Sequence, residues 1–197
     1  MTRTLVLGGA RSGKSAYAER LAVRLAVRLA ARPAIGSGKE VVYIATARAG
    51  DGEMATRILH HRQQRPSAWS TVEEPLALGD AVRHWCAPGR VVMIDCLTLW
   101  LSNLMLSDGV VHPDVGDIAL PALFHAQRAD FLDALENAGG DLVIVSNEVG
   151  MGIVPWGALS RSFTDEAGRL NQAVAALCEH AVFVLAGLPL ALKGTPC

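Results

Sequence analysis

The chain contains five short, almost wholly apolar runs, at residues 4–7, 41–44, 91–94, 142–145 and 182–185. The apolar residues of each run are consecutive rather than alternating, which is typical of strands covered on both faces in a parallel sheet. Segments in which apolar positions have helical spacing lie between the runs. The repeated order of strand, helix and strand predicts an α/β fold with right-handed crossover connections.

Three longer segments are predicted to be helical. The first begins at a glycine-rich turn and extends to Ala31, and the second covers residues 122–137 and ends before paired glycines. In the third, over residues 159–177, apolar side chains share one helical face. The segment 106–121 contains Gly, Asp and Pro and is predicted to be irregular. Because no long linker interrupts this pattern, residues 1–197 are predicted to form a single domain.

The composition excludes several classes of protein. Hydrophobic residues make up 51% of the 197 residues and charged residues 19%, which excludes intrinsic disorder. The net charge of −1 argues against a general nucleic-acid coat and against a polybasic membrane binder. The longest apolar run, Ala181 to Leu192, has 12 residues and includes Pro189, so it is too short to span a bilayer. We expect no nucleic-acid partner and no membrane span.

The cysteines and the first residues point to a cytoplasmic protein. None of the four cysteines lies in a C-x-x-C pair or near a His pair, so a structural zinc site is not expected. They are interpreted as reduced thiols. Met1 to Leu7 runs directly into the first predicted strand, which leaves no room for a signal peptide.

A phosphate-binding motif follows the first apolar run. It fits the pattern G-x-x-x-x-G-K-[ST], lies between a predicted strand and a predicted helix, and comprises Gly8, Gly9, Ala10, Arg11, Ser12, Gly13, Lys14 and Ser15. In such a loop, backbone N–H groups and the helix N-terminus surround a phosphate. Lys14 would reach the β- and γ-phosphates, and the Ser15 hydroxyl would bind Mg²⁺. A chance pattern in a glycine-rich turn is the alternative; we predict nucleoside triphosphate binding.

Acidic residues follow two other predicted strands. Asp95 comes directly after the run 91–94, where it would face the phosphates and their Mg²⁺ at the carboxyl edge of a parallel sheet. An ordinary turn or helix-capping aspartate is the alternative. Asn147 and Glu148 follow the run 142–145 in the same way, and Glu148 is a weaker candidate for positioning metal or water.

The segment 51–66 places one histidine between two arginines. On a helix that ends before Pro66, Arg57, His61 and Arg65 lie on one face, whereas His60 lies about 100° away. Nearby positive charge disfavours the imidazolium, so His61 would stay neutral and nucleophilic. The arginines would also stabilise charge on phosphoryl oxygens. A polar surface helix with two incidental histidines is the alternative.

Taken together, these residues resemble the bifunctional adenosylcobinamide kinase / adenosylcobinamide-phosphate guanylyltransferase family. The resemblance covers almost the whole chain and rests on segments 8–15, 43–47, 53–66, 69–73, 95–98, 145–155 and 169–171. It implies that ATP or GTP phosphorylates adenosylcobinamide. A histidine then attacks the α-phosphate of GTP and passes GMP to adenosylcobinamide phosphate, which gives adenosylcobinamide-GDP. The family pattern R-I-x-x-H-x-x-x-R-P places that histidine at His61.

The resemblance also implies further site residues and partners. His61 and Lys14 would be catalytic, and Ser15 and Asp95 would bind Mg²⁺. Besides residues 8–15, the nucleotide would contact Ile44, Ala45, Thr46, Arg62, Gln63, Gln64, Arg65, Glu73 and Asp95. Tyr43 is expected to pack in the core. The implied fold is a P-loop NTPase-like (RecA-like), mostly parallel sheet flanked by helices, and the implied assembly is a homotrimer.

Two other functions remain compatible with the phosphate-binding motif. One is a monofunctional P-loop kinase for a different small alcohol, and the other is a nucleotide-gated binding protein without acceptor chemistry. Both need Lys14, so only the histidine between two arginines distinguishes the bifunctional transferase from them.

Overall fold

The computed structural model describes residues 1–30, 40–47 and 68–195. Helices and strands of these residues are numbered here in chain order. They are β1 (Arg3–Gly8), α1 (Lys14–Ala30), β2 (Val41–Ala45), β3 (Ser70–Glu73), α2 (Leu78–Trp85), β4 (Val91–Asp95), α3 (Leu97–Met105), α4 (Ala122–Glu136), β5 (Asp141–Asn147), α5 (Ala158–Leu177), β6 (His180–Leu185) and β7 (Leu188–Lys193).

The strands form one seven-stranded sheet in the order β3-β2-β4-β5-β1-β6-β7. Every neighbouring pair is parallel except β6 and β7, which are antiparallel. The strand β5 lies between β1 and β4 and is parallel to both. The carboxyl ends of all three strands therefore lie at the same edge of the sheet. This arrangement confirms the predicted P-loop NTPase-like (RecA-like) α/β fold, with helices on both faces of the sheet.

The apolar core lies on both faces of this sheet. On one face α2, α3, α4 and α5 cover strand side chains such as Leu5, Val92 and Ile94, and on the other α1 covers Val6 and Met93. Successive residues of a strand point to opposite faces. A strand buried on both faces must therefore be apolar at every position, which is why the central strands read as continuous apolar runs.

The sequence prediction missed the two outer strands. In β3 the residues are alternately half-buried and exposed, and every residue of β7 is exposed, so neither shows the continuous burial of the central strands. The apolar stretch from Ala181 to Leu192 is not one run, because it turns back at Ala186 and Gly187. Both of these residues have positive φ, of 51° and 79°.

The predicted irregular segment and the predicted second long helix are both found in the described residues. Residues 106–121 contain neither helix nor strand, and α4 ends at Glu136, one residue before the predicted end. The described cysteines Cys86, Cys96 and Cys178 are buried and unpaired. Burial raises the pKa of Cys86 to about 11 and that of Cys178 to about 12, so these thiols stay protonated. Across residues 1–30, 40–47 and 68–195, no helix is sufficiently long and apolar to span a membrane.

An ion pair at the amino ends of the parallel strands joins the start of β1 to the residue before β6. The Arg3 guanidinium donates to Glu179 at 2.6 Å and to the carbonyl oxygens of Leu135 and Glu136 at 3.1 and 2.9 Å. Partial burial would raise the pKa of Glu179, but the hydrogen bonds and charge of Arg3 outweigh it and lower that pKa to about 2. One side chain thus ties β1, the end of α4 and the start of β6 together.

We expect Glu179→Gln to lower the free energy of unfolding at neutral pH by about 1 kcal/mol, because the pair is partly exposed. The lowered pKa means that this contribution is present above the ordinary value of 4.5 and is lost as the pH falls towards 2. Denaturant titrations at neutral and acidic pH should therefore show a smaller acid destabilisation in the variant. An unchanged acid dependence would contradict the role given to the pair.

Candidate active site

The glycine loop, residues 8–15, connects β1 to α1. Its backbone conformation favours glycine at particular positions. A Cβ on Gly8 would lie 2.5 Å from Ser12 Oγ and 2.6 Å from the carbonyl oxygen of Val184, so only glycine fits there. Arg11 and Gly13 have positive φ, of 55° and 90°. Left-handed residues alternating with right-handed ones turn backbone N–H groups to one side and form an anion-binding hollow.

Two side chains of the glycine loop are placed for phosphate binding. Lys14, at the first turn of α1, donates from Nζ to the carbonyl oxygen of Gly9 at 3.2 Å, so its ammonium lies against the loop. Ser12 Oγ is buried and, within the described part of the chain, has no hydrogen-bond partner. Because a buried hydroxyl without a partner is costly, an oxygen atom of a bound phosphate would satisfy it. These features fit P-loop nucleotide binding.

The turn between β6 and β7 supports the glycine loop from behind. The backbone N–H of Gly187 donates to the carbonyl oxygen of Ser12 at 2.8 Å. A Cβ on Gly13 would lie 3.1 Å from the Cα of Gly187. Nothing in the local sequence of the loop indicated this contact, because it joins residues that are far apart in the chain.

Three predicted site residues lie side by side at the ends of neighbouring strands. Asp95 of β4 pairs with Ala45 of β2, and Ala45 pairs with Glu73 of β3. Asp95 is half-buried, and one of its carboxylate oxygens accepts a hydrogen bond from the Tyr43 hydroxyl at 3.1 Å. The ring of Tyr43 is buried as predicted, and its contact with Asp95 is additional. Glu73, although distant in sequence, is thus brought into the same row as Asp95.

Thr46 is wholly buried, and its hydroxyl is used within the protein. It donates to the carbonyl oxygen of Cys96 at 2.7 Å and accepts from the N–H of Cys96 at 2.9 Å. The amide of Asn103 in turn donates to the carbonyl oxygen of Thr46 at 2.8 Å. Thr46 therefore fixes the backbone immediately after Asp95. Ile44 is also fully buried, so of the predicted residues 44–46 only Ala45 is partly exposed.

A chain of polar contacts continues from this point to α5. The side-chain amide of Asn147, the last residue of β5, donates to Thr98 Oγ1 at 2.6 Å. The side-chain amide of Asn171 donates to the backbone carbonyl oxygen of Asn147 at 3.2 Å. Asn147 follows an apolar run as Asp95 does, and that position was its sequence signal. Thr98 and Asn171 lie within helices and carried no such signal.

Comparison with known proteins identifies the family to which these residues belong. The family model described as cobinamide kinase / cobinamide phosphate guanyltransferase matches residues 4–192. The chain belongs to this family. The prediction of a bifunctional enzyme of the cobinamide kinase / cobinamide phosphate guanyltransferase family is confirmed.

Three relatives in this family align with this chain over nearly their whole length. The bifunctional adenosylcobalamin biosynthesis protein CobP of Pseudomonas aeruginosa is 48% identical and is covered over 99% of its length by 98% of this chain. The proteins named CobU of Escherichia coli and Salmonella typhimurium are 40% and 37% identical, each covered over 98% of its length by 96% of this chain. A solved type III secretion ATPase aligns over 96% of this chain and 56% of its own at 12% identity, and its TM-score of 0.49 supports no inference.

Several predicted site residues of this family member lie outside the described residues. They are His61, Arg62, Gln63, Gln64 and Arg65, together with Arg57. Their roles remain predictions from the sequence. In the described part of the chain, no cluster of three or more His, Cys, Asp or Glu side chains could hold a metal ion by itself.

Proposed function

We propose that this protein phosphorylates adenosylcobinamide with ATP or GTP and then guanylylates the product to give adenosylcobinamide-GDP. The observation that carries the proposal is that the glycine loop and the row of Asp95, Ala45 and Glu73 lie at the same carboxyl edge of the sheet, in a chain matched by the family model over residues 4–192. One domain carries both reactions.

In the first reaction, the acceptor hydroxyl attacks the γ-phosphorus of the triphosphate. The bond from that phosphorus to the β–γ bridging oxygen breaks, the nucleoside diphosphate leaves, and the hydroxyl proton passes to a base or to water. Lys14 and the N–H groups of the glycine loop bind the phosphate oxygens and stabilise the charge that develops on them. Ser15 and Asp95 are both half-buried and offer a hydroxyl and a carboxylate oxygen, a donor set that suits Mg²⁺ completed by water and phosphate. Bound Mg²⁺ neutralises phosphate charge.

In the second reaction, a ring nitrogen of His61 attacks the α-phosphorus of GTP and pyrophosphate leaves. Arg57 and Arg65, which flank His61 on the predicted helix, keep the ring neutral and bind the α-phosphate oxygens. A phosphate oxygen of the acceptor then attacks the same phosphorus, and the nitrogen–phosphorus bond breaks. Arg62, Gln63, Gln64, Glu73 and Ala45 are proposed to contact the nucleotide.

Product analysis tests this proposal. The protein is incubated with GTP, Mg²⁺ and adenosylcobinamide, and the corrinoids are separated and weighed by mass spectrometry. We expect adenosylcobinamide phosphate first and adenosylcobinamide-GDP after it. Phosphorylation without any guanylylated product would favour a monofunctional kinase instead. Triphosphate binding without change to the corrinoid would favour a nucleotide-gated binding protein.

We expect Asp95→Asn to lower both activities by about 100-fold at limiting Mg²⁺, because an amide binds Mg²⁺ more weakly than a carboxylate. Thr46→Val removes both hydrogen bonds to Cys96 and should raise the Mg²⁺ concentration needed for half-maximal rate, whereas Thr46→Ser should restore it. The measurement is the rate of phosphorylation against Mg²⁺ concentration. An unchanged Mg²⁺ dependence in Asp95→Asn would remove Asp95 from the metal site.

We also propose that the protein assembles as a homotrimer. Support comes from β7, an outer strand whose leucines Leu188, Leu190 and Leu192 are all exposed. An exposed apolar edge strand on a single chain is a common site of association.

A further inference from the structure

An uncharged cavity of about 300 Å³ lies between α3 and the first half of α5. Its apolar wall includes Met105, Leu159 and Phe163, and three hydroxyl-bearing residues, Ser102, Ser160 and Thr164, also line it. None of its described lining residues is charged. A triphosphate needs cations around it, so this cavity is unsuited to a nucleotide. It suits an uncharged ligand with apolar edges and some hydrogen-bonding groups.

The cavity is connected to the glycine loop by a short series of contacts. The N–H of Glu148 donates to the carbonyl oxygen of Gly8 at 3.2 Å, and Glu148 Oε1 accepts from the N–H of Gly150 at 2.7 Å. A Cβ on Gly150 would lie 3.9 Å from Thr164 Cγ2, in the cavity wall. The loop that begins at Glu148, directly after β5, is therefore bonded to the glycine loop at Glu148 and lies beside the cavity wall at Gly150.

The same loop presents large apolar side chains to solvent. After Gly150 come Met151, Ile153, Val154 and Trp156, and the exposed fraction reaches 98% at Ile153 and 85% at Trp156. The end of the loop is held in place, because Arg161 donates to the carbonyl oxygens of Pro155 and Trp156. Several exposed apolar side chains on an anchored loop indicate a binding surface.

We propose that this cavity and loop bind the corrin ring of the acceptor substrate; the inference rests on the proposed function. A corrinoid has a broad apolar ring with methyl groups and neutral amide side chains at its rim. The apolar wall would take a methyl-bearing edge, the three hydroxyl groups would bond the amides, and Trp156 would pack on the ring. The ring exceeds the cavity, so the exposed loop covers what the cavity does not enclose. This placement leaves the acceptor's hydroxyl arm free to reach the glycine loop.

The test fills the cavity at its mouth. Ser160 is exposed and lines the cavity, so Ser160→Trp should block it without disturbing the core. We expect the KM for adenosylcobinamide in the kinase reaction to rise by about 10-fold or more, with the KM for GTP unchanged. Guanylylation of the protein by GTP alone needs no acceptor and should proceed as in the wild type. The matched control is Gln172→Trp, at an exposed position of α5 outside the cavity.

Direct binding gives a readout that does not depend on catalysis. Equilibrium dialysis with adenosylcobinamide measures bound corrinoid by its absorbance, and Ser160→Trp should weaken binding while Gln172→Trp should not. Trp156→Ala, on the exposed loop, should weaken it by about 3- to 10-fold, and this variant replaces Ser160→Trp if the latter does not fold. Unchanged corrinoid affinity in a folded variant would overturn the proposal.

Two further outcomes separate this site from its competitors. If Ser160→Trp or Trp156→Ala changes the molar mass in light scattering while corrinoid affinity is retained, the surface is an interface between copies of the chain and the proposal is overturned. If the wild type binds corrinoid at this site but forms no guanylylated product, the proposed function fails while the corrinoid site stands.

Discussion

Replacing His61 with alanine should lower guanylyl transfer to adenosylcobinamide phosphate by at least about 10³-fold, because the nitrogen that forms the covalent intermediate is removed. The kinase reaction should stay within about twofold of the wild type, since the γ-phosphoryl group passes directly to the acceptor. Intact-protein mass spectrometry after incubation with GTP and Mg²⁺ should show one guanylyl group on the wild type and none on His61→Ala. The bond should be labile in acid and stable in base, as expected of a phosphoramidate.

His60→Ala is the matched control for this experiment. His60 is the same residue type one position away, and on the predicted helix it points about 100° from the arginine-flanked face. It should form the adduct at the wild-type rate. An adduct that persists in His61→Ala, or that disappears in His60→Ala, would show that the histidine was assigned wrongly. No adduct in the wild type would contradict the covalent mechanism.

Replacing Lys14 with alanine should lower both reactions by about 10² to 10³-fold, because each develops charge on the β- and γ-phosphates that the lysine binds. In phosphoryl transfer this charge is on the transferred group, and in guanylylation it is on the leaving pyrophosphate. The rates of both reactions and the affinity for GTP are to be measured side by side. Lys14→Ala removes one hydrogen bond to the carbonyl oxygen of Gly9, but the backbone bond from Gly187 to the carbonyl oxygen of Ser12 remains, so the loop should stay folded.

Lys193→Ala controls for the loss of a lysine. Lys193 Nζ bonds the carbonyl oxygens of Ala175 and Ala176 at the end of α5, so its loss should leave the phosphate site unaffected. Retention of one reaction in Lys14→Ala together with loss of the other would mean that the two reactions use different phosphate sites. That result would contradict the role proposed for Lys14 in both reactions.

Much of the site could be predicted because its signals are local. The glycine loop is a continuous motif, and Asp95 follows an apolar run directly, so no knowledge of distant residues was needed. Thr46 is predicted to contact nucleotide, and the structure adds that its buried hydroxyl holds both backbone groups of Cys96. That contact joins residues 50 apart in the chain, and no local pattern predicts such a pairing.

The outer strands show a second reason why prediction stopped short. Burial on two faces makes the central strands apolar at every position, whereas β3 at one edge is half-exposed and β7 at the other is exposed throughout. The pattern of an edge strand is therefore weak or misleading. The leucines of β7 are exposed in the single chain, so burial within this chain does not account for them; the proposed association between chains does.

The sequence by itself determined that this chain forms an α/β fold with a phosphate-binding loop after its first strand, because continuous apolar runs and a contiguous motif are local properties. It also determined the family. Only the tertiary structure decided that β5 lies between β1 and β4, and that Asp95, Ala45 and Glu73 stand in one row. Strand order depends on how helices pack across the whole sheet, and that packing joins residues that the chain itself keeps apart.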